Sequence, residues 1–192
     1  MLKILALLGM MASTSFASTI TYTLTATAGG FIDGVNFTSS LLTITAVASS
    51  SAPGAPFSSI IQVGTTSDSF NDFDSYVFVN HGPCSSPPFP PGSACVGFGI
   101  FEGGDLLDIA NNGFSTYVLG DSIGPLTDSA PFFSGAFFPT DSGVLSIHSA
   151  IDASFQATVV GSIPEPATIL LLLPSFVCAI LLRRRHGPKS SA

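Results

Sequence analysis

Between Ser18 and Ile163 the chain contains no lysine and no arginine. All five basic residues, Lys3, Arg183, Arg184, Arg185 and Lys189, lie in the terminal segments. The central stretch carries eleven acids: Asp33, Asp68, Asp72, Asp74, Glu102, Asp105, Asp108, Asp121, Asp128, Asp141 and Asp152. A body without cations cannot neutralise phosphates, so nucleic-acid binding is excluded, as is adhesion to anionic lipid through a polybasic patch. Lys or Arg salt bridges are excluded as well. Tryptophan is absent, which removes a common platform for stacking sugars, and 17 Phe supply the bulky apolar volume. There is no HExxH, so no familiar zinc-protease motif is present. No long apolar stripe at helical spacing occurs in the body; Asp105–Asn111 offers at most one or two helical turns.

What is present reads as strands. In STITYTLTATA, from Ser18, Ile20, Tyr22, Leu24 and Ala26 alternate with Thr19, Thr21, Thr23, Thr25 and Thr27. This period of two with β-branched residues predicts a half-buried strand. Gly29-Gly30 is expected to end it in a turn. Further strands are expected at 41–48, 60–63, 75–80, 96–101, 115–119, 144–150 and 154–160. Gly, Pro, Ser and Asp separate them. The fold class expected is all-β, an antiparallel β-sandwich or jelly roll over residues 18–161.

Cys84 and Cys95 bracket SSPPFPPGSA, a proline-rich stretch that cannot be regular structure. In an oxidising compartment these two are expected to form a disulfide, worth about 3 kcal/mol in the chain-entropy model. Metal ligation by the pair is disfavoured by its spacing. Cys178 has no third partner in the body. Asp68, Asp72 and Asp74, in DSFNDFDS, superficially resemble a calcium loop but lack the central Gly and distant Glu of an EF-hand. They are the candidate metal ligands, and calcium is the one cofactor left open. Glu102, Asp105 and Asp108 are expected to form a solvated acidic loop. His81 and His148 are the body's only histidines, and alternation places His148 at the surface. Asn36-Phe37-Thr38 matches a glycosylation sequon, a short pattern that arises often by chance. A carboxylate pair for glycoside hydrolysis has no motif of its own to reveal it, since such pairs assemble from distant strands.

Both ends read as addresses. Residues 1–17 have one charge at Lys3, an apolar core from Ile4 to Ala12, and small residues at Ser15 and Ala17. This pattern predicts a secretory signal peptide cut between Ala17 and Ser18. At the other end, Ala167 to Leu182 is a 16-residue run without charge, followed by Arg183, Arg184 and Arg185. As a helix it would reach about 24 Å against a hydrocarbon core of about 30 Å, a marginal span. Pro174 weakens it further. The arginines are expected to stop it on the cytoplasmic side, with the body outside. The two prolines of Pro164-Glu165-Pro166 keep the preceding segment extended.

Pro164-Glu165-Pro166, Ala167-Thr168, the apolar run and the arginine cluster together resemble the PEP-CTERM sorting signal, over residues 162–192. The body is only loosely similar, at YVFVN (76–80), GFG (97–99), GGDLLD (103–108) and FSTYVLGDSIGP (114–125), to β-rich bodies carrying such signals. The resemblance implies that exosortase, a membrane protease-transpeptidase of exopolysaccharide-making Gram-negative bacteria, processes the signal. Implied partners are exosortase and signal peptidase during export, transient residence in the inner membrane, and exopolysaccharide outside. The expected function is that of a structural or adhesive protein of the cell envelope or extracellular matrix, not an enzyme. A carbohydrate- or calcium-binding surface module is the alternative, and an exported hydrolase the third reading.

Overall fold

The computed structural model describes residues 18–70, 74–82, 84, 93–101 and 103–161. The expected signal peptide, the expected sorting motif Pro164–Pro166, the apolar run 167–182 and the expected arginine stop therefore lie outside the described residues. Among the described residues no helix is long and apolar enough to cross a membrane.

Alternation in the sequence becomes alternation in the sheet. Strand β1 (Thr19–Ile32) buries Ile20, Tyr22, Leu24, Ala26 and Ala28 and leaves the intervening threonines half-exposed. It pairs on one side with β2 (Val35–Ser49) and on the other with β11 (Val144–Val160), antiparallel in both cases. Leu24 sits between Ile44 and Phe155, and Tyr22 between Ala46 and Ala157, so apolar partners meet along one face. Beyond β2 come β3 (Pro56–Val63) and β4 (Thr66–Ser69), while β8 (Ile123–Asp128) and β10 (Phe138–Pro139) share the far edge of β11. A second antiparallel sheet runs in the order β5 (Ser75–Asn80), β6 (Cys95–Ile100), β7 (Gly104–Ala110), β9 (Phe132–Phe133). It contributes Val77, Val96, Phe98, Ile100, Leu107 and Ile109 to the same apolar cluster that takes the inner face of the first sheet. Phe70, just after β4, packs on Phe98 at 5.3 Å between ring centres. At one end Tyr22, Phe114 and Tyr117 gather around Phe155, with centroid separations of 6.0, 5.6 and 6.0 Å.

Four expectations are corrected. Gly29-Gly30 is not a turn; β1 runs through it to Ile32. A Cβ at Gly30 would stand 2.1 Å from the Ser146 carbonyl oxygen, so glycine is there because β11 comes close at a bulge. The turn is made at Asp33 and Gly34, with φ of 50° and 86°, values that suit a primed hairpin turn. Residues 144–150 and 154–160 belong to one strand, because a bulge with Asp152 at φ 52° absorbs the irregularity without ending the ladder. Residues 115–119 are not a strand, and Asp105–Asn111 is not helical. The chain from Gly104 to Ala110 is β7, followed by a 3-10 helix at Asn112–Thr116. Asn111 caps that helix by accepting a hydrogen bond from the Gly113 N–H at 2.9 Å.

Candidate functional site

Two groups of carboxyls carry what chemistry the body offers. One lies on the outer face of the second sheet. Strand β6 places Gly97 and Gly99 in the middle of that face, and their missing side chains leave a trough. From β5, Phe78 leans over Gly97 and Tyr76 over Gly99; from β7, Asp108 and Asp105 approach from the opposite side. A Cβ at Gly97 would stand 2.1 Å from Asp108 Oδ1 and 2.6 Å from the Phe78 ring. The Tyr76 hydroxyl donates to Asp105 Oδ1 at 2.6 Å. Exposed Phe101 rests against Tyr76 with ring centres 5.0 Å apart. The Cys84–Cys95 disulfide forms as expected, with Cα atoms 6.1 Å apart, and packs beside the trough against Phe78, Ala110 and Phe132.

Asp108 is the unusual member. It is 6% exposed, and its Oδ1 has no hydrogen-bond partner among the described residues. Burial, helped by the negative charge of Asp105, pushes its carboxyl up to about 8, so it is neutral at pH 7. The expected solvated acidic loop is thus overturned for both described members: Asp105 and Asp108 belong to a strand, and Asp108 is sealed in. Glu102 lies outside the described residues. Burial, and then Asp105, also raise the Tyr76 hydroxyl well above its ordinary range.

The second group sits at one end of the first sheet. Asp68 on β4 is 8% exposed; it accepts hydrogen bonds from the Ser69 N–H at 2.8 Å and from the Ser142 N–H and hydroxyl, each at 3.1 Å. Asp33, in the β1–β2 turn, accepts from the Thr140 hydroxyl at 3.0 Å and shares a hydrogen bond with Asp68. Burial, reinforced by that neighbouring carboxyl, pushes Asp33 up. At Asp68 burial acts the same way, but the hydrogen bonds it accepts outweigh burial and hold it down. Of the two, Asp33 is therefore the more readily protonated. The Ser69 hydroxyl carries the network on to Asp141.

Of the three calcium candidates, Asp68 and Asp74 are among the described residues. Asp68 turns to this network, Asp74 precedes β5, and Asp72 lies outside the described residues. Among the described residues no group of three or more His, Cys, Asp or Glu is placed to hold a metal. His148 is exposed, as alternation indicated, and His81 Nε2 lies 2.8 Å from the Tyr117 carbonyl oxygen. Asn36 is exposed near the start of β2. Sequence reasoning missed the Asp33–Asp68 pair, which joins residues 35 apart. It also missed Tyr76, Asp105 and Asp108 as one group; the only local signal was the Gly97-Phe98-Gly99 triplet, which marks a place where side chains from neighbouring strands fill the gap. No protein-family model, curated protein or solved structure matches the chain.

Proposed function

We propose that the protein is exported, held briefly in the inner membrane by a PEP-CTERM signal at residues 162–192, and released by exosortase into the cell envelope or extracellular matrix, where its β-sandwich body serves a structural or adhesive role. The observation that carries the export half is the Cys84–Cys95 disulfide, a bond that persists in oxidising compartments. The structural role is supported by how the acids are used. Asp68 ties a turn to a strand edge, Asp128 accepts from the Ala110 and Ala130 N–H groups at 2.9 and 3.0 Å, and Asp105 holds a tyrosine.

The hydrolase reading needs a raised carboxyl near a second one, and Asp108 beside Asp105 meets that need on paper. Its geometry argues otherwise: Asp108 Oδ1 is buried over Gly97 against Phe78, where no substrate oxygen can approach. The carbohydrate-module reading keeps one favourable observation, the exposed Phe101 ring stacked on Tyr76 next to Asp105. The deciding experiment is a mass measurement of surface-released protein from wild-type cells and from cells lacking exosortase. The proposal expects wild-type material beginning at Ser18 and ending near Pro164–Pro166. Tails intact through Ala192 in both strains overturn the sorting assignment and leave the segment as a plain anchor.

A further inference from the structure

The outward face of the first sheet carries a grid of small polar side chains. Along β1 it consists of Thr19, Thr21, Thr23 and Thr25. Their partners on β11 are Val160, Thr158, Gln156 and Ser154, and on β2 they are Ser49, Val47, Thr45 and Thr43. Neither ladder shifts register between Thr19 and Thr25, so three strands form four unbroken rows. Strand β3 continues three of the rows with Ser58, Ile60 and Gln62. Of the twelve positions on β11, β1 and β2, seven are threonine and none is charged or aromatic, so one side-chain shape repeats across the face. Grid positions repeat about every 6.8 Å along a strand and about every 4.8 Å across strands. Threonine is stiff about χ1, so each site holds a hydroxyl and a methyl in a restricted set of positions. Thr25 and Ser154 hydrogen-bond to each other at 2.8 Å; the hydroxyls of Thr21, Thr23 and Thr45 have no side-chain partner among the described residues.

The face discriminates among occupants. Charged ligands find no counter-charge on it. Protein interfaces put apolar and aromatic anchors at the centre and polar groups at the rim. Here hydroxyls hold the centre, while exposed Leu41, Ile60, Ile151 and Val160 lie towards the margins. Sugar chains favour an aromatic ring to stack on, and the grid has none. An uncharged lattice of water is the surface that matches on charge and on periodicity: it presents donors and acceptors at regular intervals similar in size to those of the grid, and any ionic side chain would hold its own hydration shell against it. We propose that this face binds the surface of ice. Adjacent strands twist by roughly 20–25°, which confines a contact with a plane to β1 and its two neighbours, the patch where the rows are unbroken.

The test uses the full chain, purified in mild detergent with the detergent alone as blank, in a nanolitre osmometer. Wild-type protein should show thermal hysteresis and faceted crystals. Thr23→Lys, at the centre of the grid, should lose most of the hysteresis. Thr116→Lys, which makes the same change at an exposed site off the grid, should keep it. Far-ultraviolet circular dichroism of both variants verifies folding; if Thr23→Lys fails to fold, Thr45→Lys replaces it. Round crystals with no hysteresis for wild type overturn the proposal. So does full hysteresis in a folded grid variant, or a dimer that Thr23→Lys disperses while hysteresis is absent throughout.

Discussion

Asp108 holds a proton in the folded body at neutral pH that the unfolded chain gives up near pH 4, since burial pushes its carboxyl up to about 8. The folded state therefore binds more protons than the unfolded state between about pH 4 and about pH 8, and linkage makes stability fall as pH rises through that window, by at most about 1.4 kcal/mol per pH unit. Above the folded value the loss is complete. Asp108→Asn keeps the shape and removes the titration, so it should flatten melting temperature against pH between 5 and 9 and gain most at the alkaline end. Parallel wild-type and variant curves would show that the carboxyl reaches solvent. A neighbouring residue tests the packing that encloses it. Gly97→Ala puts a methyl 2.1 Å from Asp108 Oδ1 and 2.6 Å from Phe78, and neither can retreat without leaving the trough. Overpacking of this kind costs about 1–3 kcal/mol, read as a drop in the denaturation midpoint; an unchanged midpoint would mean that the ring and carboxyl move aside freely.

At the scale of elements, the sequence displayed β1 openly, because a strand with one dry and one wet face must alternate. Strand β5 was legible to its ends for the same reason. Glycine misled at Gly29-Gly30, since one residue type serves both turns and close backbone approach, and only the position of Ser146 on β11 decides between them. The Asp33-Gly34 pair three residues on was the better turn signal. Residues 115–119, rich in aromatic and β-branched side chains, have strand propensity, yet the Asn111 cap and the burial of Phe114 in the aromatic cluster bend the chain into a 3-10 turn. The Asp33–Asp68 pair was invisible because nothing in a linear pattern brings a hairpin turn beside a distant strand. The disulfide was legible from two cysteines that bracket a proline-rich stretch in a chain expected to be exported, and its effect belongs to the elements it clips. Reducing Cys84–Cys95, which closes a loop with a sequence separation of 11, should cost about 3 kcal/mol. A denaturation curve in reductant should shift accordingly; an unmoved curve would show that Phe78, Ala110 and Phe132 hold the loop unaided.

Taken whole, the body is an object of one charge sign: eleven acids between Ser18 and Ile163 with no lysine or arginine to balance them. Salt should therefore stabilise it. As the screening length falls from about 30 Å at 0.01 M to about 8 Å at 0.15 M, repulsion among carboxylates weakens and the melting temperature should rise. A fall on adding sodium chloride would mean that some attractive pairing outweighs the repulsion. The pairing of β1 with β11 along nearly their full lengths has a different consequence, one of timing. The strand nearest the start of the body has one of its two full-length partners at the far end, so the large sheet cannot close until some 140 residues are available together. Contacts of such sequence separation form slowly. A chain threaded through a membrane from its N-terminus would thus keep the large sheet open throughout its passage, and β1 would find β11 only once the whole body had reached the far side.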